Sequence, residues 1–219
     1  MIHTATKTGA PTVRTARCVT ATSAWRDLRQ TTNKMIQGDK AKAIRECELV
    51  YQWAKPHIKN FRHAIDVGAR QGFFARNLGS NFAHTYCFDF RDKRKEFKQF
   101  VGDTNRFTYH VVGLGESERI TYTTSRAVGR IKEGGDVAVA IKTLDSFNIT
   151  DVGFIKYDIE GFETKAILGS EATIKRSWPT IVVEQNKGNM DAVELLESWG
   201  YTCLGGFQPR NHDFLCVKE

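Results

Sequence analysis

The sequence predicts an α/β fold with a mostly parallel, doubly wound sheet and a C-terminal antiparallel hairpin. From about residue 63 onward, short apolar runs alternate with stretches of helical periodicity, which is typical of strands joined by crossover helices. A glycine-containing turn follows the first of these runs. The last two β-like segments are too close together to hold a crossover helix, so they should pair antiparallel. With 219 residues, the chain fits one domain with an extension.

Strands and helices are predicted in regular order along this alternation. The buried strands are placed at 63–67, 84–89, 106–115, 152–158 and 179–184. The helices are placed at 71–79, closed by Gly79, and at 92–101, 162–177 and 191–200. An insertion at 118–141 contains two β-like stretches around a Gly- and Arg-rich turn, and the closing antiparallel pair is expected at 201–207 and 212–218.

The positive charge of the chain lies in its N-terminal third. Residues 1–63 contain 12 Lys and Arg against 4 Asp and Glu, whereas the remaining residues contain 20 against 21. A basic arm of this kind is consistent with contact to nucleic acid, but a solvated, solubilising tail is the favoured interpretation.

The domain boundary is predicted where helical periodicity becomes regular. Residues 1–22 lack periodicity and are expected to be flexible, and a short helix follows that Gly38 would end. Asp39 has the character of an N-cap for the next helix. The sequence therefore predicts a basic extension at 1–38 and one domain at 39–219.

The cysteines argue against a disulfide framework and against a zinc site. They are odd in number and form no CxxC pair: Cys18, Cys47, Cys87, Cys203 and Cys216. We expect free thiols in a reducing compartment, hence a cytoplasmic protein. No window approaches the roughly 20 apolar residues of a membrane span, and there is no apolar signal-peptide core. The six histidines show no metal-ligand spacing, so no metal is predicted.

The turn after the first strand is the most informative segment. Gly68 allows the backbone to approach a ligand, and Gly72 permits close packing of helix against strand. The N-terminus of the following helix favours an anionic group such as a carboxylate, and Asp66 could meet a cationic amine. A tight strand–helix turn without a ligand explains the same pattern. The glycine pattern is not GxGxxG, which disfavours a dinucleotide.

Carboxylates follow three further strands at the same edge of the predicted sheet. Asp89 ends the second strand, where it can accept hydrogen bonds from both hydroxyls of a ribose or cap the helix at 92. Asp158 and Glu160 follow the fourth strand and can contact an acceptor hydroxyl or act as general base; the alternative is a helix N-terminus that favours acidic residues. Glu184 ends the fifth strand near the same rim, which is weak support.

Residues 62–187 resemble the FkbM-type methyltransferase family. The segments that carry the resemblance occur in the family's order: AIDVGARQGFFARNL, TYCFDF, VVGLGESE, IKTLDSF, VGFIKYDIEGFETKAILGS and PTIVVEQN. The most specific is IKYDIEGFETKAILGS, which is similar to the family's IKIDVEGxE segment, and TLDSF precedes it as in the family.

The resemblance implies a Rossmann-like class I methyltransferase fold that binds S-adenosylmethionine and methylates a hydroxyl of a sugar or another small molecule. By this likeness, the methionine end would lie against Asp66, Gly68, Ala69 and Gly72, the ribose against Asp89, the adenine near Gly115 and Glu116, and the methyl-transfer centre at Asp158 and Glu160.

Two positions depart from the family pattern. Arg70 stands where the family commonly has Asn, and Asp89-Phe90 stands where it commonly has Glu-Pro. The shorter carboxylate should still reach a ribose. Arg70 either alters the loop or reaches a phosphate or carboxylate of the acceptor.

Three other functions stay open at this stage. The basic N-terminal region fits a nucleic-acid methyltransferase, although no DPPY-type motif is present. A catalytically inactive cofactor-binding module would keep the same fold. An NAD-dependent oxidoreductase is disfavoured by the missing third glycine. The acceptor itself would be selected by the 118–141 insertion, the N-terminal extension and the loops.

Overall fold

The computed structural model of the chain describes residues 21–102, 104–124, 135–185, 188–205 and 212–219, with side chains from residue 38 onward. Of the segment 1–22 that was expected to be flexible, residues 1–20 lie outside the described residues, as does the turn of the insertion, whereas residues 21 and 22 are helical. The chain divides into two compact units, Met1–Ala41 and Lys42–Glu219. The predicted domain boundary after residue 38 stays a prediction.

The first helix is continuous where the sequence predicted two. Helix α1 spans Ala21–Ala54, so the predictions that Gly38 ends a helix and that Asp39 caps the next one are wrong. An interior glycine costs a helix only about 1 kcal/mol relative to alanine, which its helix-forming neighbours can offset. In the second unit, the side chains of Val50 and Tyr51 are buried under the sheet.

A seven-stranded sheet forms the centre of the second unit. Its strands are β1 (His63–Val67), β2 (His84–Asp89), β3 (Phe107–Val111), β7 (Val152–Tyr157), β8 (Thr180–Glu184), β9 (Thr202–Leu204) and β10 (Asp213–Val217). Their order is β3-β2-β1-β7-β8-β10-β9. The first five are parallel, and β10 runs antiparallel to both of its neighbours. The predicted parallel sheet with a C-terminal antiparallel pair is confirmed.

A second, three-stranded sheet contains the insertion. Its strands are β4 (Gly113–Leu114), β5 (Arg119–Thr123) and β6 (Val137–Lys142), in the order β4-β6-β5. The two β-like stretches predicted in the insertion are thus strands, and β5 pairs with β6 in the antiparallel direction. The third strand, predicted as one segment over 106–115, divides at Val112, because β3 pairs with β2 whereas β4 pairs with β6.

Among the described residues of the second unit, five short α-helices cover the sheet. They are α2 (Ala75–Gly79), α3 (Arg94–Val101), α4 (Glu163–Leu168), α5 (Glu171–Ser177) and α6 (Asp191–Ser198). The predicted helix over 162–177 divides into α4 and α5. The carboxylate of Asp145 accepts the backbone N–H groups of Ala172 (3.0 Å) and Thr173 (2.7 Å), and so caps the first turn of α5.

The core lies on both faces of the sheet. Successive residues of a strand point to opposite faces, so Ile155 packs with α4, α5 and α6, whereas Phe154 packs with α1 and Phe74. All six residues of β7 are buried, as expected for the central strand of a sheet covered on both sides.

A disulfide joins Cys203 of β9 to Cys216 of β10. The two residues lie directly opposite each other in the antiparallel pair. The prediction that the cysteines are free thiols is therefore wrong for this pair, because cysteine number and spacing do not show strand register. Cys47 and Cys87 take no part in a disulfide.

In the part of the chain that the structure describes, no helix is both long and apolar enough to cross a membrane. Within those same residues, no group of His, Cys, Asp and Glu side chains could hold a metal ion.

Candidate functional site

A cleft of about 520 Å³ opens at the carboxyl ends of β1, β2 and β7. Parallel strands present their carboxyl ends at one edge of a sheet, which is where ligands bind in open α/β folds. The residues that line the cleft are Val67, Gly68, Arg70, Phe88, Asp89, Phe90, Val112, Gly113, Leu114, Asp158, Ile159, Glu160 and Phe162. Four of the predicted site residues are therefore brought together: Gly68, Asp89, Asp158 and Glu160.

Gly68 is required because two backbone segments meet there. Its φ is +90°, and a Cβ at this position would lie 1.9 Å from the carbonyl oxygen of Asp158. The N–H groups of Gly68 (2.9 Å) and Ala69 (3.1 Å) donate to the carbonyl oxygen of Phe88. The loop after β1 is thereby held against the ends of both neighbouring strands.

Gly72 serves packing rather than the cleft. Its φ is +93°, and a Cβ would lie 2.8 Å from Val101 and 2.9 Å from Phe97, both on α3. The helix predicted from residue 71 begins only at Ala75, because turns occupy the residues before it.

Asp89 is fixed by the backbone of two arginines. Its Oδ2 accepts the N–H of Arg70 and its Oδ1 accepts the N–H of Arg91, both at 2.9 Å. Burial raises the pKa of Asp89, although these two N–H groups partly lower it. Each carboxylate oxygen retains a further lone pair for a ligand hydroxyl. Asp89 does not cap α3, because Asp92 accepts the N–H of Arg94 instead (3.1 Å).

Five charged residues meet beneath the cleft at the ends of β1, β7, β8 and β10. We call them the acid–lysine cluster: Asp66, Lys156, Asp158, Glu184 and Asp213. Lys156 is 5% exposed, and its Nζ lies 2.6 Å from Asp158 Oδ2 and 5.2 Å from the centre of the Phe74 ring. Strand register sets Asp66 opposite Lys156 and Asp213 opposite Glu184.

The cluster holds more carboxylates than its lysine can balance. Burial raises the pKa of Asp66 to about 7, even though Lys156 and the N–H of Ala75 lower it, and neither of its oxygens accepts a hydrogen bond of ordinary geometry. The hydrogen bond from Glu184 to Asp158, together with burial, raises the pKa of Glu184 well above its ordinary value. Burial alone would lower the pKa of Lys156, but the carboxylates around it raise that pKa instead.

The loop after β7 is held by a residue that the sequence did not single out. Glu163, 3% exposed at the start of α4, accepts the N–H groups of Ile159 and Gly161, each at 2.9 Å. Glu160 lies between them with a φ of +57° and is exposed on the rim of the cleft. Lys156 and Glu163 both belong to the IKYDIEGFE segment, which was the available signal for them.

Five predicted site residues do not line the cleft. Asp66 lies in the acid–lysine cluster, and Ala69 and Gly72 are buried in the turn. Gly115 is buried with its N–H donating to Lys142 (3.0 Å), and the exposed Glu116 lies 4.0 Å from Lys165. The segment Val112–Leu114 occupies the wall of the cleft in their place.

Comparison with known proteins identifies one matching family and several solved structures of similar fold. The family model of the methyltransferase FkbM domain matches residues 66–203. The structure is similar to a methyltransferase FkbM from Methylobacillus flagellatus KT, with a TM-score of 0.53 and 20% identity, over 71% of this chain and 43% of that chain. It is also similar to an rRNA methylase from Streptococcus thermophilus, with a TM-score of 0.50 and 13% identity, over 78% of this chain and 95% of that chain.

At these identities, the solved structures show the fold, which is the Rossmann-like class I methyltransferase fold. The chain spans less than half the length of the Methylobacillus protein. No curated protein matches the chain.

Proposed function

Because the chain belongs to the FkbM methyltransferase family, we propose that it transfers the methyl group of S-adenosylmethionine to a hydroxyl of a sugar or another small molecule. The observation that carries the proposal is the meeting of Gly68, Asp89 and Asp158 at one cleft. Binding requires a backbone that can approach the ligand closely and a carboxylate with free lone pairs. Proton removal requires a second carboxylate.

The residues of the cleft fit this cofactor. Asp89 would accept the ribose hydroxyls, and the apolar wall of Phe88 and Val112–Leu114 would hold the adenine, in place of Gly115 and Glu116. The cofactor carries an ammonium and a sulfonium, and the acid–lysine cluster below the cleft is rich in carboxylates. The buried Asp66 carboxylate gains most from a nearby positive charge, because its oxygens accept no hydrogen bond of ordinary geometry.

The chain itself would position the acceptor and remove its proton. When bound, S-adenosylmethionine supplies a methyl group that is activated by the positive charge on sulfur. Asp158 is the proposed base for the acceptor hydroxyl, because it lines the cleft and the Lys156 ammonium favours its ionised form. Glu160, exposed on the same rim, is the second candidate. Glu163 keeps the loop that carries both in one conformation.

Thermal unfolding with S-adenosylmethionine, S-adenosylhomocysteine and NAD tests the cofactor. Ligand at 100 times its Kd stabilises the folded state by about 2.7 kcal/mol, which for a domain of this size raises Tm by roughly 5–10 °C. We expect this shift with the two sulfur ligands and not with NAD. The variant Asp89→Asn should reduce it, whereas Asp92→Asn, three residues further along the chain and outside the cleft, should not.

Transfer of a labelled methyl group to a panel of sugars then tests the reaction. A shift without transfer to any acceptor would favour a cofactor-binding module. Transfer to RNA or DNA in preference to the panel, lost on deletion of residues 1–38, would favour a nucleic-acid methyltransferase. No shift with either sulfur ligand would contradict the proposal at its first step.

A further inference from the structure

A second pocket, of about 580 Å³, adjoins the cleft on the side of β2. The residues that line it are Arg70, Gln71, Asp89, Phe90, Arg91 and Lys93. Three of them, Arg70, Asp89 and Phe90, also line the cleft. Asp89 and its neighbours thus form a wall with the proposed cofactor site on one side and this pocket on the other. We call it the basic pocket.

Positive charge exceeds negative charge in the basic pocket. It contains three cationic side chains and one carboxylate, that of Asp89. Lys93 is paired with Glu96, its Nζ lying 3.1 Å from Oε1. In the described part of the chain, neither Arg70 nor Arg91 forms an ion pair. The two guanidinium groups at this pocket are thus outside any ion pair among the described residues, and the Asp89 carboxylate attracts both of them electrostatically.

Hydrogen bonds fix the backbone of both arginines. Their backbone N–H groups are bound to the two oxygens of Asp89, and the carbonyl oxygen of Arg70 accepts the hydroxyl of Tyr109 at 2.9 Å. The Arg91 guanidinium lies 5.1 Å from the centre of the Phe90 ring, which holds it by a cation–π contact. Less side-chain freedom is then lost when a ligand binds.

We propose that the basic pocket binds the phosphate group of a small phosphate ester. Each guanidinium offers a planar fork of N–H donors that matches phosphate oxygens in a bidentate way. Its six lining residues belong to two short segments, 70–71 and 89–93, and form one compact site rather than an extended groove, which suits one phosphate group better than a run of nucleic-acid backbone. The site is present whether or not the ester is the methyl acceptor; only the acceptor role rests on the proposed function. Arg70, which stands where the family commonly has Asn, supplies one of the two forks.

Binding is tested by calorimetric titration and thermal unfolding with inorganic phosphate and glucose 1-phosphate, against sodium chloride at matched ionic strength. Wild type should bind both phosphates. Arg70→Gln and Arg91→Gln should each weaken binding by roughly tenfold to a hundredfold, the usual loss of a charge-assisted hydrogen bond. Lys95→Gln removes the same charge from the exposed face of α3, outside the pocket, and should bind as wild type does.

The proposal would be overturned if wild type and the three variants bound phosphate equally well. It would also be overturned if sodium chloride raised Tm as much as the phosphates do. Tighter binding of a short single-stranded RNA than of glucose 1-phosphate, weakened by the same two arginine variants, would also overturn it in favour of a nucleic-acid contact. Two different substitutions are used so that a folding defect in one, visible as a lowered Tm in chloride, does not decide the result.

A second measurement shows whether the phosphate ester is the methyl acceptor or a separate ligand. Labelled methyl transfer to glucose 1-phosphate but not to glucose would identify the ester as the acceptor. Phosphate binding without such transfer would identify a separate ligand, and both results support the pocket. The S-adenosylhomocysteine shift is recorded on Arg91→Gln, because Arg91 lines the basic pocket and not the cleft. Loss of phosphate binding in this variant with that shift intact is distinguished from failure of the proposed function.

Discussion

Asp89 ends β2 and Asp158 follows β7, the two strands that flank β1, and the molecule stabilises the two carboxylates in different ways. Asp89 is held by two backbone N–H groups. Asp158 is held by side chains, the Lys156 ammonium and the Glu184 carboxyl group. On the β2 side of the cleft, the proposed ligand would therefore meet groups whose positions the fold determines. The β7 side has neighbouring carboxyl groups with shifted pKa values, which is the arrangement that the proposed acid–base chemistry would need.

The largest effect is expected on the β7 side. Asp158→Asn keeps the shape but removes the proposed base, so methyl transfer should fall by roughly 10²- to 10⁴-fold, the usual contribution of a general base. Binding of S-adenosylhomocysteine should be retained. The measurement is the initial rate of labelled methyl transfer to the acceptor found in the sugar panel. Unchanged turnover in this variant would move the base to Glu160.

The pH dependence of stability should also originate on this side. The pKa of Asp66 is raised from 3.8 to about 7 by burial, so its contribution is fully present below pH 4 and is lost as the pH rises through about 7. A shift of this size corresponds to roughly 4 kcal/mol. Urea unfolding of Asp66→Asn between pH 4 and pH 8 should show a correspondingly weaker decline than wild type.

Asp92→Asn is the control for that series. The pKa of Asp92 is lowered to about 2, by the Arg94 side chain first, so its contribution is present above pH 4 and is lost only as the pH falls through about 2. This variant should therefore leave the decline between pH 4 and pH 8 unchanged. A decline of wild-type size in Asp66→Asn as well would assign the pH dependence to other groups.

On the β2 side, the main effect is steric. Gly68→Ala places a Cβ 1.9 Å from the carbonyl oxygen of Asp158 at a φ of +90°, and should destabilise the protein by roughly 3 kcal/mol and abolish cofactor binding. Gly102→Ala is the matched control, because its φ is +78° and its Cβ would meet nothing within 4 Å. It should cost only the backbone term, about 1 kcal/mol. Chemical denaturation measures both, and equal losses would show that the close approach carries no cost.

The smallest effect is expected at Arg70. A φ of +47° is unfavourable for arginine and more acceptable for asparagine, so Arg70→Asn should raise stability by up to about 1 kcal/mol. Thermal unfolding in phosphate-free buffer should show a rise of roughly 2–4 °C. Arg70→Ala removes the same charge without the asparagine preference and should show no rise; a rise in both would point to charge rather than backbone conformation.

The sequence could predict what depends on local pattern. The strands, the glycine turn and the carboxylates after β2 and β7 follow from periodicity and from residues adjacent in the chain. The acid–lysine cluster could not be predicted in this way, because it requires knowing that Asp66 lies opposite Lys156. The disulfide between Cys203 and Cys216 depends on register for the same reason.

The position of Asp66 illustrates the limit most clearly. Neighbouring residues of a strand point to opposite faces, so a residue at the end of β1 can adjoin the cleft in sequence and yet lie behind it. Gly115 and Glu116, which were expected near the adenine, lie just beyond the segment that lines the cleft, for another reason. The chain leaves the main sheet at Val112, and only the pairing of β4 with β6 shows where it does so.

That pairing has a consequence for how new acceptors can be acquired. Gly113 and Leu114 line the cleft and are hydrogen-bonded to β6, the second strand of the insertion. The insertion and the proposed adenine wall are thus parts of one hydrogen-bonded sheet. A chimera that exchanges only the residues between β5 and β6 should keep the cofactor site of its host. A chimera whose junction lies within β6 would pair the host's adenine wall with a strand from another protein. Chimeras within this family should therefore keep an intact cofactor site when residues 113–142 are exchanged as one segment.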